Sequence, residues 1–307
     1  MKKNIFKVIR KIKLFFNSTY QIIIRKKMDY FDYNKICQPF DMFYYNSYPP
    51  NKYYGINIAV SRKLKSKLPQ HAIIEHGVYF GDNINKEELC LYKKPIIYTM
   101  GKQRCEFLKK NGFKNVYSLG PFIKFAKNFK SQKELDLLKS KFGKTLLVFP
   151  SHSIEGVNSS FNEKIFLNEI IKCSNDYDTT LICMYWKDVL DNRHVIYENA
   201  GFTIVSAGYR NDSYFLSRLK DLIELSDMTM SNCLGTHIGY SISLNKPHYL
   251  FRQEHSYTGI NVEKENMGKD MSVMEIRKNL FYKKFGLYKK EISKEQIELV
   301  KYYWGDF

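Results

Sequence analysis

Glu75 and His76 stand side by side before Gly77, at the end of the apolar run HAIIEH. A carboxylate or imidazole held rigidly at a strand end, partly out of water, suits the removal of a proton from a hydroxyl. Side chains alternate across a strand, so one of the pair faces a cleft and the other points inward. We place the base at His76, with Glu75 orienting it or taking its place. Asp82, shortly downstream, is a third candidate.

A second set of residues suits an anion. The segment SNCLGTHIGY carries Ser231, Asn232, Gly235, Thr236 and His237 from a strand end into a helix start. Gly235 lets backbone approach a ligand, and the first N–H groups of a helix have no partner within it. That combination makes a site for a phosphate or diphosphate. Ser231 and Thr236 add hydroxyls, and His237 adds a donor or a positive charge. The other reading is an ordinary capped helix whose Gly235 and Gly239 serve close helix–sheet packing.

The segment PSHSIEG supplies Ser151, His152, Ser153 and Glu155. His152 either reaches the same phosphate or is a turn residue held by its flanking serines. Tyr209 and Arg210 are placed to meet a nucleobase, or are solvated loop residues. Trp186 suits the core somewhat better than a ligand.

All these segments follow predicted strands, and ligands of open α/β sheets bind beyond the carboxyl ends of the strands. Strands are expected at 71–76, 95–100 and 115–119, with a helix opened by Gly101 and stopped at Gly112. Residues 55–66 read as helix in preference to strand, and the polar stretch 124–143 is helical in period. Strands then recur at 145–149, 180–184, 202–206, 228–231 and 248–251. They alternate with helices over 161–174, 188–200, 213–226 and 236–244. The first of these helices should turn Ile165, Phe166, Ile170 and Ile171 to one side. The class is α/β, and the second half is doubly wound. The tail carries no strand signal; a helix is expected over 269–283. Ser293 and Gln296 form a capping box for a last helix.

Charge is unevenly placed. The chain has 307 residues and a formal net charge of +18, and residues 1–27 hold nine Lys or Arg and no acid. Ile5, Phe6, Val8, Ile9, Ile12, Leu14, Phe15 and Phe16 interleave with those bases. This basic amphipathic segment reads as an anchor on the anionic cytoplasmic leaflet, or as a first helix packed on the core. No nucleic-acid-binding module accompanies the charge. A hydrophobic fraction of 44% excludes a disordered chain. No apolar run approaches the ~20 residues that span a bilayer. Six cysteines without a CxxC pair or metal spacing read as reduced thiols of a cytosolic protein, and no signal peptide is expected.

IIEHG at 73–77 and SN…GTHIGYSISLNKPHYLF at 231–251, set in two Rossmann-like halves with a basic linker, resemble the GT-B class of glycosyltransferases. The closest likeness is to bacterial enzymes of capsule and lipopolysaccharide assembly. The resemblance implies an acceptor-side domain at 31–130 and a donor nucleotide-sugar domain at 131–262. These follow the basic segment 1–30 and precede a helical tail, 263–307, that crosses back to the first domain. No DxD motif is present and no E-x7-E signature is evident. An inverting, metal-independent transfer is therefore implied, with the nucleotide-sugar as co-substrate and no other cofactor. The acceptor would be a saccharide or lipid-linked, at the inner face of the membrane. The HG segment also resembles that of polyol-phosphate transferases, so a CDP-polyol phosphotransferase is an alternative. A non-catalytic Rossmann-like binding subunit is the third reading.

Overall fold

The computed structural model describes residues 2–43, 48–263 and 269–307. The side chains of residues 2–8, among them Ile5, Phe6 and Val8 of the basic segment, lie outside the described residues. The chain opens with α1 (Lys2–Arg25) and the single turn α2 (Tyr33–Ile36), and α3 (Ile56–Leu64) follows. The first sheet alternates β1 (Ala72–Ile74), α4 (Lys86–Leu89), β2 (Ile96–Thr99), α5 (Lys102–Lys110) and β3 (Val116–Ser118). Its three strands are parallel, in the order β1-β2-β3. Ile73, Ile97 and Val116 face Leu108 and Leu89 on one side. Ala72, Ile74 and Tyr98 face Ile56, Val60 and Phe122 on the other. Strands covered on both faces need such unbroken apolar runs.

A helix α6 (Gln132–Phe142), closed at its start by a Ser131–Glu134 capping box, leads into the second unit. There β4 (Thr145–Phe149), β5 (Asn158–Ser160), α7 (Glu163–Ser174), β6 (Thr179–Cys183), α8 (Trp186–Leu190) and α9 (Val195–Asn199) come first. Then follow β7 (Thr203–Val205), α10 (Phe215–Leu225), β8 (Met228–Ser231), α11 (Thr236–Ser243), β9 (His248–Leu250) and β10 (Ser256–Thr258). The main sheet is parallel, ordered β7-β6-β4-β8-β9. In sequence order that is third, second, first, fourth, fifth, so the winding reverses between β4 and β8. The α/β class and the two Rossmann-like units read from the sequence are those of the structure.

The sheet separates two cores by the alternation of its strands. Leu147, Phe149, Leu181 and Val205 face α10 and the tail. Leu146, Val148, Ile182, Ile204 and Met230 face α7 and also Ile36, Cys37, Phe40 and Met42. The core on the α10 side continues into the first sheet, so apolar packing joins the halves.

Several local expectations are corrected. Of the four residues assigned to one side of α7, Phe166 and Ile170 are buried but Ile165 and Ile171 are exposed. Cys173 completes the buried stripe, because the third position along this face falls at 173. The helix expected over 188–200 is two short ones, parted near Asn192, which has φ 58°. β5 and β10 form an unexpected antiparallel pair, Ser256 opposite Ser160. Arg25, one of the nine bases of the first 27 residues, is buried. Its guanidinium donates to the carbonyls of Ile36 and Gln38, at 2.6 Å each, and to Asp212, which also accepts from Arg218.

The tail contributes two helices, Met271–Phe285 and Lys294–Trp304. The last has the expected Ser293–Gln296 capping box and lies against both α5 and α11. Trp304 is fully buried. Its indole occupies the space a Cβ would need at Gly239, so only glycine fits there.

Candidate active site between the two sheets

A cavity of about 240 Å³ opens where the carboxyl ends of β1, β4, β6, β7 and β8 meet. Its position at the reversal between β4 and β8 is where a doubly wound sheet leaves a crevice. The strand-end loops bring His76 and Gly77 from the first half, and His152, Gly235, Thr236 and His237 from the second. The volume lies below the ~300–1,000 Å³ of typical small-molecule sites. It accommodates a sugar ring or a diphosphate, with the remainder of a larger ligand on the open rim.

His76 is the member of the strand-end pair that faces the cleft. Tyr53 and Tyr54 flank its ring at centroid distances of 5.8 and 5.9 Å. Burial, and secondarily the charge of Arg210, pushes its pKa down to about 4. Glu75 points the other way. Its carboxylate accepts from Arg104 Nε at 3.0 Å to both oxygens and from Nη2 at 2.6 Å. Its partner on the inward side is this guanidinium. Asp82 also lies outside the cavity, bonded by Arg277 at 2.7 and 2.9 Å and by Gln103 at 2.8 Å.

α11 begins at the cavity. Gly235 is its N-cap, in extended backbone with no side chain to cap the first amides. The Thr236 hydroxyl accepts from the Val78 amide of the first half at 3.2 Å. The Thr236 carbonyl accepts from Trp304 Nε1 at 3.0 Å. The His237 ring stacks on Phe149 at 5.0 Å, and its Nε2 is buried with no hydrogen-bond partner among the described residues. Burial and the neighbouring His152 push its pKa down to about 3. His152 lies on the Tyr185 ring at 4.3 Å. The Tyr185 hydroxyl meets that of Tyr54 at 2.9 Å, which ties the two halves together across the cavity.

The other predicted donor-side residues build the walls behind this surface. The Ser151 amide donates to Asn232 Oδ1 at 2.7 Å, and Asn232 Nδ2 donates to Gln253 at 3.0 Å. The Ser153 amide donates to the buried Asp188 carboxylate, which Arg193 also holds at 2.8 Å. Ser231 Oγ lies between the Cys233 carbonyl and His248 Nε2, both at 3.0 Å. Trp186 packs edge-on against Tyr209 at 4.8 Å, and both are buried. Arg210 pairs with Glu155, while its carbonyl accepts from the Tyr54 amide at 2.6 Å.

Residues the sequence did not single out complete the lining. Tyr54 and Phe215 pack at 4.8 Å, and Tyr185 and Tyr240 add aromatic surface. Tyr54 is held at φ 60° beside Gly55. A side chain at Gly55 would strike the Ser213 carbonyl, so the glycine permits this close approach. The dipeptide YG after a Pro-Pro turn was the available signal for that bend. Among the described residues the lining contains no Asp, Glu, Lys or Arg. Its polar groups are imidazoles, hydroxyls and backbone amides. No group of three or more His, Cys, Asp or Glu able to hold a metal occurs among the described residues.

The sequence matches no protein-family model, and no curated protein matches it. Among solved structures the chain is similar to UDP-GlcNAc 2-epimerase from Methanocaldococcus jannaschii. The identity is 13% over 80% of this chain and 73% of that one, with a TM-score of 0.37. It is also similar to UDP-GlcNAc 2-epimerase from Neisseria meningitidis bound to UDP-GlcNAc. There the identity is 11% over 81% of this chain and 79% of the other, with a TM-score of 0.33.

Proposed function

We propose that the chain is an inverting, metal-independent glycosyltransferase that moves a sugar from a nucleotide-sugar to a saccharide or lipid-linked acceptor in surface-polysaccharide synthesis. One observation carries the reading. A single imidazole from the first half, His76, faces an uncapped helix start and two imidazoles of the second half across one cavity. In this arrangement the donor diphosphate lies at the start of α11. It takes hydrogen bonds from the amides of Thr236 and His237, and His237 Nε2, protonated as the diphosphate arrives, donates to it as well. The acceptor hydroxyl approaches from the first half. His76 takes its proton as the oxygen bonds to the anomeric carbon, the carbon–phosphate-oxygen bond breaks, and the electron pair leaves on the diphosphate.

The low proton affinity of His76 fits this sequence of events. Among the described residues no carboxylate lines the cavity to hold a proton on the ring. A diphosphate brings negative charge into a partly desolvated site and raises the proton affinity of nearby imidazoles. His76 therefore becomes a stronger base when the donor is bound.

The test is a calorimetric screen of UDP, GDP, CMP and CDP and their sugar conjugates, followed by transfer assays. We expect His76→Ala to lower kcat by roughly 10²–10⁴-fold with nucleotide affinity retained. His237→Ala should weaken nucleotide binding. Selective turnover of CDP-glycerol or CDP-ribitol would instead assign a polyol phosphotransferase. Absence of binding to every nucleotide would overturn both.

A further inference from the structure

We propose that the outward face of α1 docks on an anionic lipid bilayer. Ile9, Ile12, Phe16, Tyr20 and Ile23 are 44–65% exposed. Their spacing of three and four residues places them in one stripe along the helix, roughly 21 Å long at 1.5 Å per residue. The stripe lies opposite the side that meets the protein, where Ser18 and Arg25 are buried and Ser18 Oγ bonds Met42 Sδ at 2.9 Å. A first helix packed by its apolar side on the core is thus not what the chain builds. The core side carries Ser18, Arg25 and the partly buried Ile22, and the larger apolar stripe is turned out.

Charge selects the occupant. Lys13 is exposed at the border of the stripe, Arg10 and Lys11 are exposed further round the helix, Lys26 and Lys27 are exposed just past its end, and the first acid of the chain is Asp29. A second copy seated on this face would bring two sets of bases together. A bilayer with anionic headgroups takes up the apolar stripe and neutralises the bases. The helix is also fastened at a useful place. Arg25 is bonded to Asp212, and the Tyr209 amide donates to the Ile36 carbonyl at 2.8 Å. The same loop after β7 supplies the Arg210 carbonyl that holds Tyr54 in the cavity wall. Docking through α1 therefore sets the loop-bearing edge of the second unit beside the lipid surface. None of this depends on the reaction proposed above.

The experiment is co-sedimentation of the full chain with phosphatidylglycerol-containing vesicles and, separately, with pure phosphatidylcholine vesicles. Nucleotide affinity is measured in parallel as an independent readout. We expect binding to the anionic vesicles alone, falling as salt is raised. Lys13→Ser with Lys26→Ser should reduce the partition coefficient roughly 25-fold, about fivefold for each base removed. Ile12→Glu with Phe16→Glu should abolish binding. Both pairs are exposed, so thermal unfolding and nucleotide affinity should stay at the parent values. Three results would overturn the proposal: binding to neither vesicle, equal binding to both, or a lipid-free dimer that Ile12→Glu with Phe16→Glu dissociates.

Discussion

Replacing Glu75 by Gln separates chemistry from architecture at the strand-end pair. In the parent protein the Glu75 carboxylate receives three hydrogen-bond contacts from Arg104, whose Nη1 donates onward to the Asn83 carbonyl at 2.7 Å. Both side chains are 3% exposed. Removing one charge of a buried pair leaves the other uncompensated, which costs about 3–5 kcal/mol. Gln keeps one acceptor oxygen for the guanidinium, so the lower end, about 3 kcal/mol, is expected. At about 2–4 °C per kcal/mol, the melting temperature should fall by roughly 6–12 °C. Thermal and urea unfolding measure this, with kcat determined on the folded fraction at low temperature. That kcat should stay near the parent value, because the carboxylate does not reach the cavity. A Glu75→Gln, Arg104→Met double variant should be more stable than Glu75→Gln alone, since the stranded charge is gone. An enzyme of unchanged stability that has lost turnover would refute the reasoning and make Glu75 the base.

Two further perturbations test the packing and the electrostatics. Burial holds His76 down to about 4, His237 down to about 3, and His248 well below the usual imidazole range. Unfolded histidines take up protons near pH 6.5, while the folded ones stay neutral to lower pH. The unfolded state then binds more protons, so stability is full above about pH 6.5 and falls toward pH 4, by at most about 4 kcal/mol per unit for the three together. Urea midpoints measured from pH 7 to 4.5 should decline steeply; a flat profile contradicts the burial. Separately, Gly239→Ala should expel Trp304 from its seat at a cost of about 3–5 kcal/mol. Limited proteolysis should then cut the tail, and the fluorescence of one of the two tryptophans should shift red; resistance with an unchanged spectrum would count against the contact.

The α/β alternation was legible because each buried strand is a short apolar run between turn residues. TLLVF and TLICM leave little choice, and β4 and β6 stand where expected. The alternation of Glu75 and His76 was legible as well, and it predicted that one would turn inward. The partner was not. Arg104 lies 29 residues on, on a different element, and nothing local marks it as the group that holds the carboxylate. Arg25 escaped for the same reason, since its acid is Asp212. β5 and β10 read NSS and SYT, too short and polar to carry a strand pattern, and only their pairing makes them strands. The aromatic lining could not be assembled from sequence either. Tyr54, Tyr185 and Phe215 come from three distant segments and meet only in the folded cleft.

Thr236 has a consequence for how the cleft breathes. Its hydroxyl is bonded to Val78 of the first half and its carbonyl to Trp304 of the tail, at the same helix start that faces the cavity. Parting the halves at this edge exchanges both bonds for water, a net cost of about 1 kcal/mol each. These two contacts alone thus bias the cleft toward its shut form by a factor of about 30, to which the apolar core shared by the halves adds. An anion accepts the Thr236 hydroxyl proton while Val78 donates to a lone pair of the same oxygen, so a ligand at the helix start and the bond between the halves can share one atom.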